Sequence, residues 1–211
     1  MEFLSNAAVL FQKGGLAMYP LAACSIIVSA VAVERFLFFR AAATDIDVLL
    51  ARIEPLLAQG DRLKACEECR NAKGLTAGIA AAGLKRPYAD SRSMENALSG
   101  AASLAAAALR ERLGFLDTIV TLAPLLGLLG TVFGMISSFS VMNIRSGQPQ
   151  AITGGVGEAL VATAAGLCVA VAALAVHSYF VHKLDGMVTG MERCCNYLLD
   201  ACSRGERHEN A

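Results

Sequence analysis

Three stretches of this chain carry no charged side chain: residues 14–33, 118–144 and 159–182, which are 20, 27 and 24 residues long with His taken as neutral. An α-helix needs about 20 apolar residues to cross the hydrocarbon core of a bilayer, so each run is long enough. A soluble fold of 211 residues would have to bury three such helices against one another with little chain left to cover them. The runs therefore predict an all-α integral membrane protein with three transmembrane helices.

Lysine and arginine set the expected orientation. Eleven of the 18 fall in residues 40–117, against Lys13 before the first run and Arg145 in the turn between the second and third. Lys183, Arg193, Arg204 and Arg207 follow the third run. The expected division is an outer N-terminal segment 1–13, a first span 14–39, a cytoplasmic helical region 40–117, a second span 118–142, a periplasmic turn 143–152, a third span 153–182, and a cytoplasmic C-terminal helix and tail 183–211. The stretch "ERFLFFR" after the first run reads as an interfacial anchor of aromatics and arginines, against the alternative that the first run is a cleaved signal peptide. Acidic residues also number 18, and a net charge of zero argues against nucleic acid as a partner.

Residues 44–74 have apolar side chains at helical spacing, with interruptions expected at Pro55 and Gly60. Ser91 or Ser93 is the candidate N-cap of a single long helix running from about residue 93 into the second span and ending near residue 142. Its alanine-rich start is too short and too weakly apolar for a fourth span; its small side chains suit close helix packing. Seven cysteines are scattered along the chain. "CEEC" (Cys66 to Cys69) has the spacing of half a zinc site, but no second pair with matching spacing follows, so reduced thiols on helices are expected and no metal. No nucleotide-binding glycine loop, catalytic triad or carboxylate pair is present, so no enzymatic activity and no cofactor are expected.

The polar residues inside the spans are few. Gly127, Gly130 and Gly134 put small residues on one side of the second span, and Gly166 does so in the third; such glycines let membrane helices pack closely. Pro124 removes a backbone donor and should loosen the second span one turn earlier. Thr131 is eleven residues from the end of the second span, and Thr163 eleven from the end of the turn, so the two are expected at one depth on antiparallel helices. Glu158 lies about 7.5 Å nearer the outer mouth at the helical rise and is rotated about 140° from Thr163 at about 100° per residue. A threonine in a membrane helix often bonds its own backbone, and a carboxylate there is expensive. Together they form a polar layer in an apolar slab and mark a candidate path for an ion. His177 lies about 21 Å from Thr163; an interfacial His is favoured over a proton relay.

The stretches "APLLGLLGTVFGMISSF" and "GEALVATAAGL" resemble the MotA/TolQ/ExbB proton-channel family, most strongly over residues 123–167. "GGLAMYPLAACSIIVSAVAVERFLFFR" is similar to the first span of its ExbB/TolQ branch, including the Glu34–Arg35 pair. Three spans also favour that branch, since flagellar MotA-type subunits typically have four. The chain departs at Ala172, His177 and Ser178, where members often carry Pro and Tyr-Asn.

The resemblance implies five copies of the chain forming a ring, with a central pore around a dimer of an ExbD/TolR-like single-span partner that bears an Asp. Thr131 and Thr163 would line the pore and receive that acid, because a hydroxyl cannot store a proton at neutral pH. Glu158 would gather protons at the outer mouth or fix the pore by pairing with neighbours. The implied place is the bacterial inner membrane, among its lipids. The implied work is to energise TonB-dependent outer-membrane transport with proton motive force, through a TonB- or TolA-like protein. The alternatives are a TolQ-like role in Tol-Pal envelope maintenance and a non-conducting structural scaffold. A secondary transporter is disfavoured by three spans without an internal repeat.

Overall fold

The computed structural model describes residue 11 and residues 14–85, 91–144 and 149–209. Among the described residues seven helices follow in order: α1 (Met18–Ala42), α2 (Ile46–Ala58), α3 (Arg62–Asn71), α4 (Leu75–Lys85), α5 (Ser91–Arg110), α6 (Leu113–Ile144) and α7 (Pro149–Glu209). Among the described residues there is no strand, and three helical stretches are long and apolar enough to cross a membrane. The chain is an all-α integral membrane protein. Much of the expected outer segment, and residues 145–148 of the expected outer turn, lie outside the described residues.

The chain divides into two compact units, residues 1–33 with 112–179, and residues 34–111 with 180–211. The first holds the start of α1, all of α6 and the start of α7. Its interior is made of small and branched side chains: Leu21, Val28, Leu116, Ile119, Ala123, Ala159, Ala162 and Ala173 are buried. Its outer surface is apolar too, with Leu125, Leu128, Phe133, Ile136, Leu160 and Val171 exposed. In water such a surface would be an aggregation hazard; in lipid it is the solvent-facing side.

The second unit is a helical bundle of α2–α5 with the ends of α1 and α7. Asp45 caps α2 by accepting from Val48 N at 3.2 Å, and Asp61 caps α3 by accepting from Lys64 N at 3.1 Å. The Lys64 hydrogen bond and charge hold the Asp61 carboxyl below its usual range. The core is built from Leu49, Ile53, Cys69, Ala80, Leu98, Leu109, Leu184, Met191, Cys194 and Leu198. Gly83 makes room for Leu98, whose Cγ would lie 3.4 Å from an added Cβ.

Three local expectations are corrected. Pro55 stands inside α2 without interrupting it; it falls in the closing turns, where it removes one backbone donor and the helix soon ends anyway. The stop is at Gly60, with φ 76, where Gly60 N donates to Leu57 O at 3.1 Å and Asp61 N to Leu56 O at 2.9 Å, the paired bonds of a Schellman cap. Ser93 is inside α5 and so is not the cap that precedes it; the residues just before Ser91 lie outside the described residues.

The single long helix across 93–142 is also not formed. It breaks at Glu111–Arg112, where Arg112 has φ 66. A buried side chain from elsewhere in the chain supports the break. Arg35, only 3 % exposed, donates through Nη1 to Glu111 O at 2.8 Å. Its Nε and Nη2 fork onto both carboxylate oxygens of Glu34 at 2.8 and 2.7 Å. The Glu34 carboxylate neutralises the guanidinium, and the guanidinium satisfies a carbonyl that a continuous helix would have bonded itself.

Candidate functional site

In the first unit α6 and α7 meet along a row of glycines. A Cβ on Gly166 would lie 2.6 Å from Ala123 O and 3.1 Å from Gly127 Cα. One on Gly127 would lie 3.1 Å from Ala162 O and from Thr163 Cα. One on Gly134 would lie 2.8 Å from Gly155 O, and one on Gly130 2.5 Å from Ala162 Cβ. Gly127, Gly134 and Gly166 thus stand where the two backbones approach too closely for a side chain, and Gly130 makes room for the Cβ atoms of Ala162 and Ala17. Pro124 is inside α6 without ending it.

This row sets the register of the hydroxyls. Gly127 lies opposite Thr163, Gly130 opposite Ala162, and Gly134 opposite Ala159. Thr131 is therefore staggered from Thr163 by roughly one helical turn, about 5 Å, not level with it as residue counting from the turn suggests. Backbone contact at the glycines decides the offset, and counting along the chain does not see it. The two hydroxyls also have different surroundings. Thr131 Oγ1 donates to Leu128 O of its own helix at 2.6 Å. Thr163 Oγ1 lies 3.2 Å from Gly127 O across the interface and 3.3 Å from Ala159 O behind it. One O–H serves two acceptors there, so Thr163 ties α7 to α6.

Glu158, partly buried, lies against Gly15 in the turn before α1. The structure thus puts Glu158 beside the first span and Thr163 against the second. His177 is partly buried further along α7, fourteen residues from Thr163, about 21 Å at the helical rise, and is not brought to either hydroxyl.

Sequence reading missed Gly15 and Ser138. The doublet Gly14–Gly15 directly before an apolar run was the available signal for the first. Ser138 is buried, donates to Gly134 O at 3.0 Å and fills the space opposite Gly155; nothing in its local sequence separates it from Ser137.

Cys66, Cys69, Cys194 and Cys195 are buried in the second unit, Cys24 is buried in the first, and Cys168 is exposed. Burial first, and a neighbouring sulfur second, push the Cys69 thiol up to about 11 and the Cys194 thiol up to about 12. Among the described residues no group of three or more His, Cys, Asp or Glu side chains could hold a metal ion. A cavity of about 350 Å³ in the same unit, between α5 and α7, is edged by Glu95, Ser99, Glu192 and Asn196; it contains none of the residues singled out in the spans.

Residues 71–193 match the profile of the MotA/TolQ/ExbB proton channel family, more than half of the chain. The chain belongs to this family. An ExbB-like biopolymer transport protein of Synechocystis is 36 % identical over 176 residues, 81 % of this chain and 69 % of that protein. An ExbB homologue of Methanothermobacter thermautotrophicus is 26 % identical over 193 residues, 91 % of this chain and 69 % of that protein. The biopolymer transport protein ExbB of Pseudomonas putida is 31 % identical over 99 residues, 46 % of this chain and 30 % of that protein. These relatives place the chain in the ExbB branch of the MotA/TolQ/ExbB family. The family match takes in α6, the glycine row, Thr131, Glu158 and Thr163, whereas Gly15 and the Glu34–Arg35 pair lie before it.

Proposed function

We propose that this chain is the channel-forming subunit of an inner-membrane motor that uses proton motive force to energise TonB-dependent transport across the outer membrane. In this reading several copies, five by analogy with the family, enclose a pore that holds an ExbD/TolR-like single-span partner. The N-terminus is periplasmic and the C-terminus cytoplasmic. The observation that carries the reading is the family match across residues 71–193, because Thr131, Glu158 and Thr163 fall inside it. The partner's acid carries the proton. Thr131, whose hydroxyl is engaged only within its own helix, is the better placed of the two threonines to give a lone-pair contact to that acid or to a water. Thr163 holds the α6–α7 interface in register behind it, and Glu158 acts nearer the outer mouth.

The test is co-reconstitution with an ExbD-like partner in liposomes and measurement of proton uptake under an imposed potential. The double variant Thr131→Val, Thr163→Val keeps the side-chain shape and removes both hydroxyls. We expect it to insert and assemble with the partner while proton flux falls at least about tenfold, the loss of one charge-assisted contact of about 1.5 kcal/mol. Full flux from the double variant would end the role given to the hydroxyls. A wild-type complex that assembles but passes no protons would favour the structural scaffold.

A further inference from the structure

The first span starts on a turn, residues 14–17, with unusual neighbours. Gly15 has φ +65, a backbone state costly for any residue with a Cβ. A Cβ there would also run into the Glu158 carboxylate, lying 2.7 Å from its Cδ and 3.2 Å from its Cγ. At Gly14 a Cβ would lie 3.3 Å from Val161 Cγ1. Ala17 is buried, and its Cβ would be 2.9 Å from one on Gly130. Glu158, Val161 and Gly130 belong to one patch of the α6–α7 pair, so the whole turn is docked on the level of the carboxylate.

From this arrangement we infer that the turn 14–17 is a seat for the Glu158 side chain, and that Gly15 is the positioning residue which holds the carboxylate within its own subunit, between the first and third spans. One physical reason favours a carboxylate here. The missing side chain at Gly15 lets the charged group reach the backbone itself, where peptide dipoles replace part of its lost water. The contact joins residues 143 positions apart, so the first span, not only the pore-forming pair α6 and α7, sets where this acid stands. Its effect on conduction rests on the channel reading above; the contact itself does not.

Two measurements decide it. In membranes carrying Gly15→Cys with Glu158→Cys, oxidation with copper phenanthroline should give a disulfide within one chain, found by peptide mass mapping in material of monomer mass. A bridge formed only between chains, or none, would overturn the seat. Separately, Gly15→Asn fills the space while tolerating the left-handed backbone. In the partner complex it should lower proton flux at least fivefold and shift the pH at which flux is half-maximal. Added to Glu158→Ala it should cause no further loss, because there is no carboxylate left to displace. Multiplicative losses, or an unshifted pH profile, would show that Gly15 does not act through Glu158. If wild-type flux is absent, the channel reading fails while the cross-link still decides the seat.

Discussion

At the scale of single residues, the clearest departure from expectation is Arg35. It is a guanidinium buried to 3 % exposure beside its sequence neighbour Glu34, with its carbon 4.6 Å from the Phe38 ring centroid. Its third hydrogen bond reaches a backbone carbonyl 76 residues away. A lysine keeps the charge but cannot fork onto a carboxylate and reach a carbonyl together. Arg35→Lys should therefore lower stability by about 1.5–3 kcal/mol, the range for a hydrogen bond to a charged group. Thermal unfolding in detergent followed by helix content would register it. A variant indistinguishable from wild type would mean that Glu111 is satisfied equally well by water.

At the scale of elements, the α6–α7 contact depends on what is missing from it. An added methyl at Gly166 meets backbone, Ala123 O and Gly127 Cα, and backbone cannot rotate away as the end of a side chain can. Gly166→Ala should force the helices apart and cost about 1–3 kcal/mol, the usual penalty of overpacking. Gly157, on the same helix, has nothing within 4 Å of an added Cβ. Gly157→Ala should leave the isolated subunit's stability unchanged or raise it by up to about 1 kcal/mol, since alanine is the better helix former. Unfolding of the two variants side by side checks the pair. If Gly157→Ala instead blocks assembly while the subunit folds, a neighbouring copy occupies that open space.

At the scale of the whole molecule, the two units should respond differently to conditions. Cys69 and Cys194 have thiols raised from the ordinary 9.0 to about 11 and about 12, mainly by burial. A raised pKa means that the unfolded chain releases these protons first. The stability they contribute is complete below about pH 9 and falls as pH rises through 9 toward 11–12. The folded second unit should therefore lose thermal stability between pH 9 and 11, and both thiols should resist alkylation at pH 8 until the protein is unfolded. Rapid labelling of Cys194 in the folded protein would contradict the packing. Orientation is tested separately: single labelling sites introduced as Ser146→Cys and Ser203→Cys should react from opposite sides of the membrane, and reaction from one side would remove the proposed topology.

The sequence by itself determined the number of spans and the class of the fold. Crossing a hydrocarbon layer is a requirement on length, and a charge-free run displays its length in one dimension. It also carried the family motif, because a row of small residues with isolated hydroxyls and one acid is a local pattern. The tertiary structure alone decided the rest. Glu111 and Arg112 are good helix formers in an alanine-rich context, and the break there is supported by an arginine from another helix. Thr131 and Thr163 have alike surroundings in sequence, yet one bonds its own turn and the other bridges two helices. Glu158 meets Gly15 across most of the chain. Side-chain periodicity tells which groups must leave water; it does not tell which backbone atom will stand opposite them. That is settled by the register of packed helices, which here turns on contacts at glycines no wider than a methyl group.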